Sequence, residues 1–138
     1  MLQHTGVANF NYDVDLAADL TVDGDATFNG SISEAWQTPT LGSGWSNWGT
    51  GYSTAGYRRT GSIVSLSGFL KYTTGASTTI FTLAAGYRPT GTILMDAYRH
   101  PDVAVARVTL YATGAVNLNS TLDNLDGITL DGISFFTD

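Results

Sequence analysis

The run Ile63-Val-Ser-Leu-Ser-Gly-Phe-Leu-Lys-Tyr72 alternates between apolar and polar side chains along most of its length. One side carries Val64, Leu66, Leu70 and Tyr72, and the other carries Ser65, Ser67 and Lys71. Because successive side chains of an extended strand point to opposite faces, this period of two predicts a strand with one buried face. Residues 103–112 repeat the pattern, with Ala106, Val108 and Leu110 opposite Arg107, Thr109 and Tyr111.

Shorter strand-like runs continue on both sides of these two stretches. They cover residues 79–83, 92–98, 115–118, 128–130 and 133–136. Turn signals separate several of them, at Thr113-Gly114, Asp126-Gly127 and Asp131-Gly132. Roughly seven or eight short strands at this spacing, without an amphipathic helical pattern, predict an all-β head of antiparallel, jelly-roll-like β-sandwich type. We assign this head domain to residues 36–138.

A different pattern precedes the head. Residues 14–19, 20–25 and 26–31 read as three copies of one six-residue unit, with two alternate apolar residues and a closing Asp or Ser. The frame extends upstream, so that the apolar pairs are Ala8/Phe10, Val14/Leu16, Leu20/Val22 and Ala26/Phe28. A period of six with this alternation describes very short strands joined at corners, which is typical of β-solenoids.

One chain holds too few of these units to bury a solenoid core. A single-chain solenoid stacks roughly three coils or more, and about five hexads would complete fewer than two. Three identical chains that each supply one face would solve the burial problem, so the pattern predicts an intertwined, triple β-helix-like stem over residues 1–35 of a homotrimer. The side chains expected at its axis are Phe10, Val14, Leu16, Leu20, Val22 and Phe28. The alternative is an ordinary strand pair with a turn at Asp23-Gly24.

Composition limits the partners of the chain. The 138 residues carry a net charge of −6 with one lysine, and residues 1–35 hold six acidic and no basic side chains. Such a chain is not suited to neutralise phosphates, so nucleic acid is not an expected partner. No apolar run approaches the roughly 18 residues of a membrane span, so a membrane is not expected either. The absence of cysteine excludes disulfides and thiolate metal sites.

Four motifs in the head occur in a familiar order. They are Trp36-x-x-Pro39-Thr40-Leu41-x-x-Gly44-Trp45-x-Asn47, Tyr57-Arg58 before Gly61-Ser-Ile-Val-Ser-Leu-Ser-Gly68, Ile80-Phe-Thr-Leu-Ala-Ala-Gly-Tyr-Arg-Pro89, and Leu130-Asp-Gly-Ile-Ser-Phe135. Over about 100 residues the chain resembles the C-terminal head domain of bacteriophage tail-fibre and related virion-surface proteins. The usual Leu-Pro-Ala-Gly-Tyr stretch reads Leu-Ala-Ala-Gly-Tyr here, at residues 83–87.

The resemblance implies a trimeric β-sandwich head on a stem, and many heads of that family recognise cell-wall saccharides of the host. We therefore expect a non-enzymatic, receptor-binding protein of the virion surface, joined to other phage virion proteins through its N-terminal segment. The alternative is a capsid decoration protein, of cement or head-fibre type, seated at threefold positions of the capsid. The short chain favours this alternative, because 138 residues leave little room for a tail-attachment module.

Saccharide binding needs flat apolar ring faces beside polar hydrogen-bonding groups, which aromatic and planar polar side chains supply. Three aromatic residues belong to the family motifs and are expected in the core or at subunit contacts: Trp45, Tyr57 and Tyr87. Others lie outside the motifs in loop-like sequence, where binding residues concentrate. They form the predicted saccharide site: Trp48, Tyr52, Tyr98, Arg99 and His100.

Neither a catalytic site nor a cofactor is predicted. His4 and His100 are the two histidines, no Gly-x-Ser-x-Gly element accompanies them, and most aspartates of the head adjoin glycine in turns. Asp13, Asp19 and Asp25 recur at one phase of the hexads. In a threefold stem they would form carboxylate rings suited to calcium. The favoured interpretation is that they accept backbone N–H groups at corners, so no metal site is predicted.

Overall fold

The computed structural model describes residues 23–24, 34–124 and 126–138. The chain divides into two compact units, Met1–Ser31 and Ile32–Asp138, and Asp23 and Gly24 are the described part of the first. The predicted stem, with its axial residues, its aspartates and the trimer that it implies, lies outside the described residues. Those expectations therefore stay predictions.

The described part of the second unit is all-β and contains no helix. Its strands are β1 (Trp45–Asn47), β2 (Gly56–Thr60), β3 (Ile63–Ser67), β4 (Phe69–Tyr72), β5 (Thr79–Thr82), β6 (Ile93–His100), β7 (Ala104–Leu110), β8 (Ala115–Leu118), β9 (Gly127–Thr129) and β10 (Ser134–Phe136). All described pairings between them are antiparallel. The all-β, antiparallel prediction for the head is confirmed.

The strands form two sheets. A seven-stranded sheet has the order β1-β4-β9-β6-β7-β8-β5, and a three-stranded sheet has the order β10-β3-β2. The two ends of the larger sheet approach each other just before β1 and β5. There the Gly42 N–H donates to the Ile80 carbonyl at 2.7 Å, and the Ser77 N–H donates to the Ser43 carbonyl at 2.8 Å. These bonds leave the larger sheet nearly closed around its apolar side.

Both sheets contribute to one core, as in a sandwich-like arrangement. In β7 the predicted alternation holds, because Ala106, Val108 and Leu110 are fully buried. From the smaller sheet, Val64 and its neighbours on β3 join the same cluster. Burying side chains of this kind stabilises a domain by about 1.5–3 kcal/mol each for the larger ones, so this shared core is what holds the two sheets together.

The single strand predicted over residues 63–72 is wrong, because it breaks at Gly68. β3 ends at Ser67 in the smaller sheet and β4 begins at Phe69 in the larger one. Gly68 has a φ of +131°, and a Cβ there would lie 2.8 Å from the Ala55 Cα. The backbone thus turns from one sheet to the other at a position where only glycine fits, and Phe69 leaves the alternation of the run.

The motif aromatics pack as expected. Trp45 and Tyr57 are buried, which confirms their predicted place in the core. The Trp45 Nε1–H donates to the Ser77 carbonyl at 2.7 Å, and the Tyr57 ring stacks on Phe81 with centroids 6.3 Å apart. Tyr87 is half-buried against Tyr57 and donates its hydroxyl to Glu34, a bond that raises the pKa of Tyr87 above its ordinary value.

Candidate functional site

Four neighbouring strands of the larger sheet, β1, β4, β9 and β6, build an aromatic surface on its outer side. Residues directly opposite each other in a sheet point to the same face. Phe69 of β4 is opposite Thr129 of β9, and His100 of β6 is opposite Gly127 of β9. Tyr98 shares the face of His100, because it lies two residues away on the same strand. The three strands therefore present one continuous outer surface.

We call Trp48, Tyr52, Phe69 and His100 the aromatic cluster. The Trp48 and Phe69 rings stack with centroids 4.5 Å apart and an interplanar angle of 26°. His100 meets Trp48 edge-on at 5.1 Å, and Tyr52 lies tilted against Phe69 at 5.0 Å. Aromatic pairs in these geometries stabilise one another by about 0.5–1.5 kcal/mol beyond the area they bury. The rings thus hold each other in place on a rigid sheet.

The position of Trp48 depends on Gly127. A Cβ on Gly127 would lie 2.7 Å from the indole, so the ring rests directly on the backbone of β9. The Lys71 Nζ lies 5.3 Å from the indole centroid, in the range of a cation–π contact. Trp48 is therefore a support of the aromatic cluster, fixed from both sides.

A cavity of about 270 Å³ opens beside the cluster. It is lined by Tyr52, Phe69, Tyr98, His100, Thr129 and Asp131. Phe69 is buried, whereas Tyr52 and Tyr98 are 55% and 46% exposed. Two partly open phenol rings thus accompany a buried apolar ring, and hydroxyl, imidazole and carboxylate groups complete the lining. A few placed polar groups in an apolar recess are the usual composition of a small-molecule site.

Asp131 is anchored by three donors. Its carboxylate accepts hydrogen bonds from the Ser53 hydroxyl, from the Gly68 N–H at 2.9 Å and from the Thr129 hydroxyl at 3.2 Å. Burial raises the pKa of Asp131, but the three hydrogen bonds outweigh burial and hold the pKa below its ordinary value. The group is therefore a fixed negative charge at the cavity wall at neutral pH.

The structure divides the predicted site residues into three groups. Tyr52, Tyr98 and His100 line the cavity, and Trp48 lies behind it. Arg99 does not belong to the site. The placement of residues 98–100 in a loop is also wrong, since they end strand β6. Because neighbours on a strand point to opposite faces, Arg99 is directed away from Tyr98 and His100.

Arg99 instead gathers carboxylates on its own side of the sheet. Its Nη2 lies 2.9 Å from Asp126, 3.3 Å from Asp102 and 3.8 Å from Asp123, and its Nη1–H donates to the Thr121 carbonyl at 3.1 Å. Asp126 is 7% exposed and also accepts the Asp123 N–H at 2.9 Å. This arrangement ties the end of β6 to the segment before β9, so the role of Arg99 is structural.

Sequence reasoning missed three lining residues, Phe69, Thr129 and Asp131. Phe69 carried a signal, because two adjacent apolar residues, Phe69 and Leu70, interrupt the alternation and indicate that both faces of β4 are covered. Asp131 was interpreted as a turn residue. It does contact Thr129 locally, but its bonds to Ser53 and Gly68 join positions far apart in the sequence, which no local pattern reveals.

A larger cleft of about 430 Å³ lies elsewhere, lined by Thr38, Pro39, Thr40, Gly42, Tyr57, Thr79, Phe81, Thr82 and Ala84. Its described lining contains no charged side chain. Its aromatic members, Tyr57 and Phe81, are buried in the core and offer no open ring face. The smaller cavity at the aromatic cluster is therefore the better candidate site, despite its size.

Comparison with models of known protein families gave no match to the chain, and a search of curated proteins gave none either. Among residues 23–24, 34–124 and 126–138, no group of three or more His, Cys, Asp or Glu side chains is placed to hold a metal ion. The same residues include no helix of the length and apolarity needed to cross a membrane. The site is thus defined by its own geometry.

Proposed function

We propose that the chain is a non-enzymatic subunit of a bacteriophage virion-surface homotrimer whose jelly-roll-like head binds a saccharide of the host cell surface. The observation that carries this proposal is the cavity at the aromatic cluster, where Tyr52 and Tyr98 expose their rings beside Phe69. The four sequence motifs described above support the class of protein, since they resemble the heads of phage tail fibres.

The chemistry of the cavity suits a sugar ring. A pyranose has an apolar C–H face, which aromatic rings cover, and a rim of hydroxyls, which needs donors and acceptors. Tyr52 and Tyr98 supply both, because each couples a ring to a hydroxyl. Thr129 and His100 add further polar atoms along the lining. One small site of this kind binds weakly, and threefold repetition in a trimer would raise the overall affinity through avidity.

We expect Tyr98→Ala and Tyr52→Ala each to weaken binding to host cells or to a glycan array by about tenfold or more, as for other aromatic anchors. Leu94→Ala is the matched control, since Leu94 is 62% exposed on the same strand and outside the cavity. Binding by purified wild-type protein is the first measurement. Equal losses in all three variants, or no binding by the wild type, would contradict the proposal.

The trimer and its stem are part of the same proposal, supported by the hexads of residues 8–31. Analytical ultracentrifugation of the full chain should give a trimer at low micromolar concentration. Leu20→Asp should dissociate it, because three carboxylates would then be forced to the apolar axis. A folded wild-type monomer at that concentration would overturn this part while leaving the saccharide site untouched.

The capsid decoration role remains the second candidate, and one observation favours it. The β6–β7 ribbon exposes three apolar side chains, Leu94, Val103 and Val105. Exposed apolar groups near one another suit contact with another protein. Labelled antibody seen by electron microscopy on the capsid, together with failure of the purified protein to bind any host cell, would select this role over the receptor-binding one.

A further inference from the structure

We infer that the cavity beside the aromatic cluster accepts a single sugar ring without a negative charge and discriminates against sugars that carry a carboxylate. The inference rests on the proposed saccharide-binding function. It adds the charge class and the size of the ligand, which follow from the residues that line the cavity.

The size of the cavity limits the ligand to one ring. Its volume of about 270 Å³ lies just below the roughly 300–1,000 Å³ of sites that enclose drug-sized ligands. Phe69 contributes a buried ring to the lining, and Tyr52 and Tyr98 contribute partly exposed ones. The described lining comes from few residues on adjacent strands and the β1–β2 connection, so a terminal sugar or a branch fits better than an extended chain.

The charge of the cavity comes from Asp131. Three hydrogen bonds hold its carboxylate in place, from the Ser53 hydroxyl, the Gly68 N–H and the Thr129 hydroxyl. They also keep the pKa of Asp131 below its ordinary value, so protonation does not relieve the charge near neutral pH. An anionic sugar in the cavity would therefore meet a negative group that can neither move away nor neutralise itself.

No compensating cation lines the described part of the cavity, which contains neither lysine nor arginine. Arg99 lies on the other side of β6, with its guanidinium held by Asp126. The Lys71 Nζ lies over the Trp48 ring, outside the lining. His100 is the one lining side chain that can become positive, so the test is made at about pH 8, where histidine is ordinarily neutral. Unpaired like charge is an effective means of rejecting a ligand.

The test compares sugars that differ in charge alone, using the full chain and saturation-transfer NMR or indole fluorescence. The pairs are methyl glucoside with methyl glucuronide, methyl galactoside with methyl galacturonide, and N-acetylglucosamine with N-acetylmuramic acid. In the pair that binds best, the neutral member should bind about tenfold more tightly, as expected for two like charges a few ångströms apart at a protein surface. The difference should shrink in about 0.5 M salt, which screens the repulsion.

Asp131→Asn should narrow the same difference at least threefold, because the amide keeps the shape and can still accept the Gly68 N–H. Asp96→Asn is the matched control, since it removes one exposed carboxylate from the outer face of β6 outside the cavity. Melting curves establish whether both variants fold. If Asp131→Asn does not fold, the salt dependence of the wild type decides, and a difference insensitive to salt contradicts the inference.

Two further outcomes separate the inference from the proposed function. Wild-type protein that binds glycans but prefers the anionic member of a pair overturns the inference and leaves saccharide binding in place. Wild-type protein that binds none of the six sugars and no host cell overturns both.

Discussion

Replacing Arg99 with alanine is expected to lower the free energy of unfolding of the head by about 3 kcal/mol. The guanidinium is the ion-pair partner of Asp126, at 2.9 Å, and the Asp126 side chain is only 11% exposed. Without Arg99 that carboxylate keeps the Asp123 N–H but is left as a nearly buried charge without a cation. Urea or thermal unfolding measures the loss directly.

The control for this prediction is Arg107→Ala, because Arg107 is exposed on the neighbouring strand β7. Its removal should change stability by less than about 0.5 kcal/mol. In an Asp126→Ala background, Arg99→Ala should cost much less than in the wild type, since the two residues interact directly. Additive effects of the two substitutions would show that the ion pair is not the cause.

Gly68→Ala is expected to be more damaging still, at about 4 kcal/mol, and to prevent folding if the head is only marginally stable. Two costs combine. The φ of +131° is unfavourable for any residue with a Cβ, and the new Cβ would lie 2.8 Å from the Ala55 Cα and 2.9 Å from the Ala55 nitrogen. Both neighbouring atoms are backbone, so neither can rotate away. The Gly68 N–H that holds Asp131 would also be displaced.

Gly86→Ala separates the two costs. Gly86 has a φ of +90°, but nothing lies within 4 Å of a Cβ placed there. Its replacement should therefore cost only the conformational part, about 1–2 kcal/mol. Denaturant unfolding of both variants gives the difference. Equal destabilisation by the two substitutions would mean that the contact with Ala55 does not limit the turn between β3 and β4.

Parts of the site could be predicted because they depend on local patterns. The exposed aromatic residues outside the motifs, Tyr52, Tyr98 and His100, do line one cavity. Arg99 was grouped with them because it is adjacent in sequence, and adjacency is misleading in a strand, where neighbours face opposite ways. A longer strand assignment that reached residue 100 would have separated Arg99 from the other two.

Other parts could not be predicted because they depend on strand order. β6 lies beside β9, and β4 lies between β1 and β9, although these strands are far apart in the chain. The cavity exists because this order brings Phe69, Tyr98 and Asp131 together. Period-two patterns show which face of a strand is buried, but they do not show which strand lies next to it.

The amino-acid sequence by itself determined the all-β class of the head, the positions of most strands and turns, and the burial of Trp45 and Tyr57. These features follow from alternation, glycine turns and apolar content, which act over a few residues. Only the tertiary structure decided that the run of residues 63–72 divides between two sheets and that Asp131 reaches Gly68 and the cavity. The reason is that a backbone turn at Gly68 and a carboxylate bound from the loop between β9 and β10 stabilise each other only after distant strands have paired.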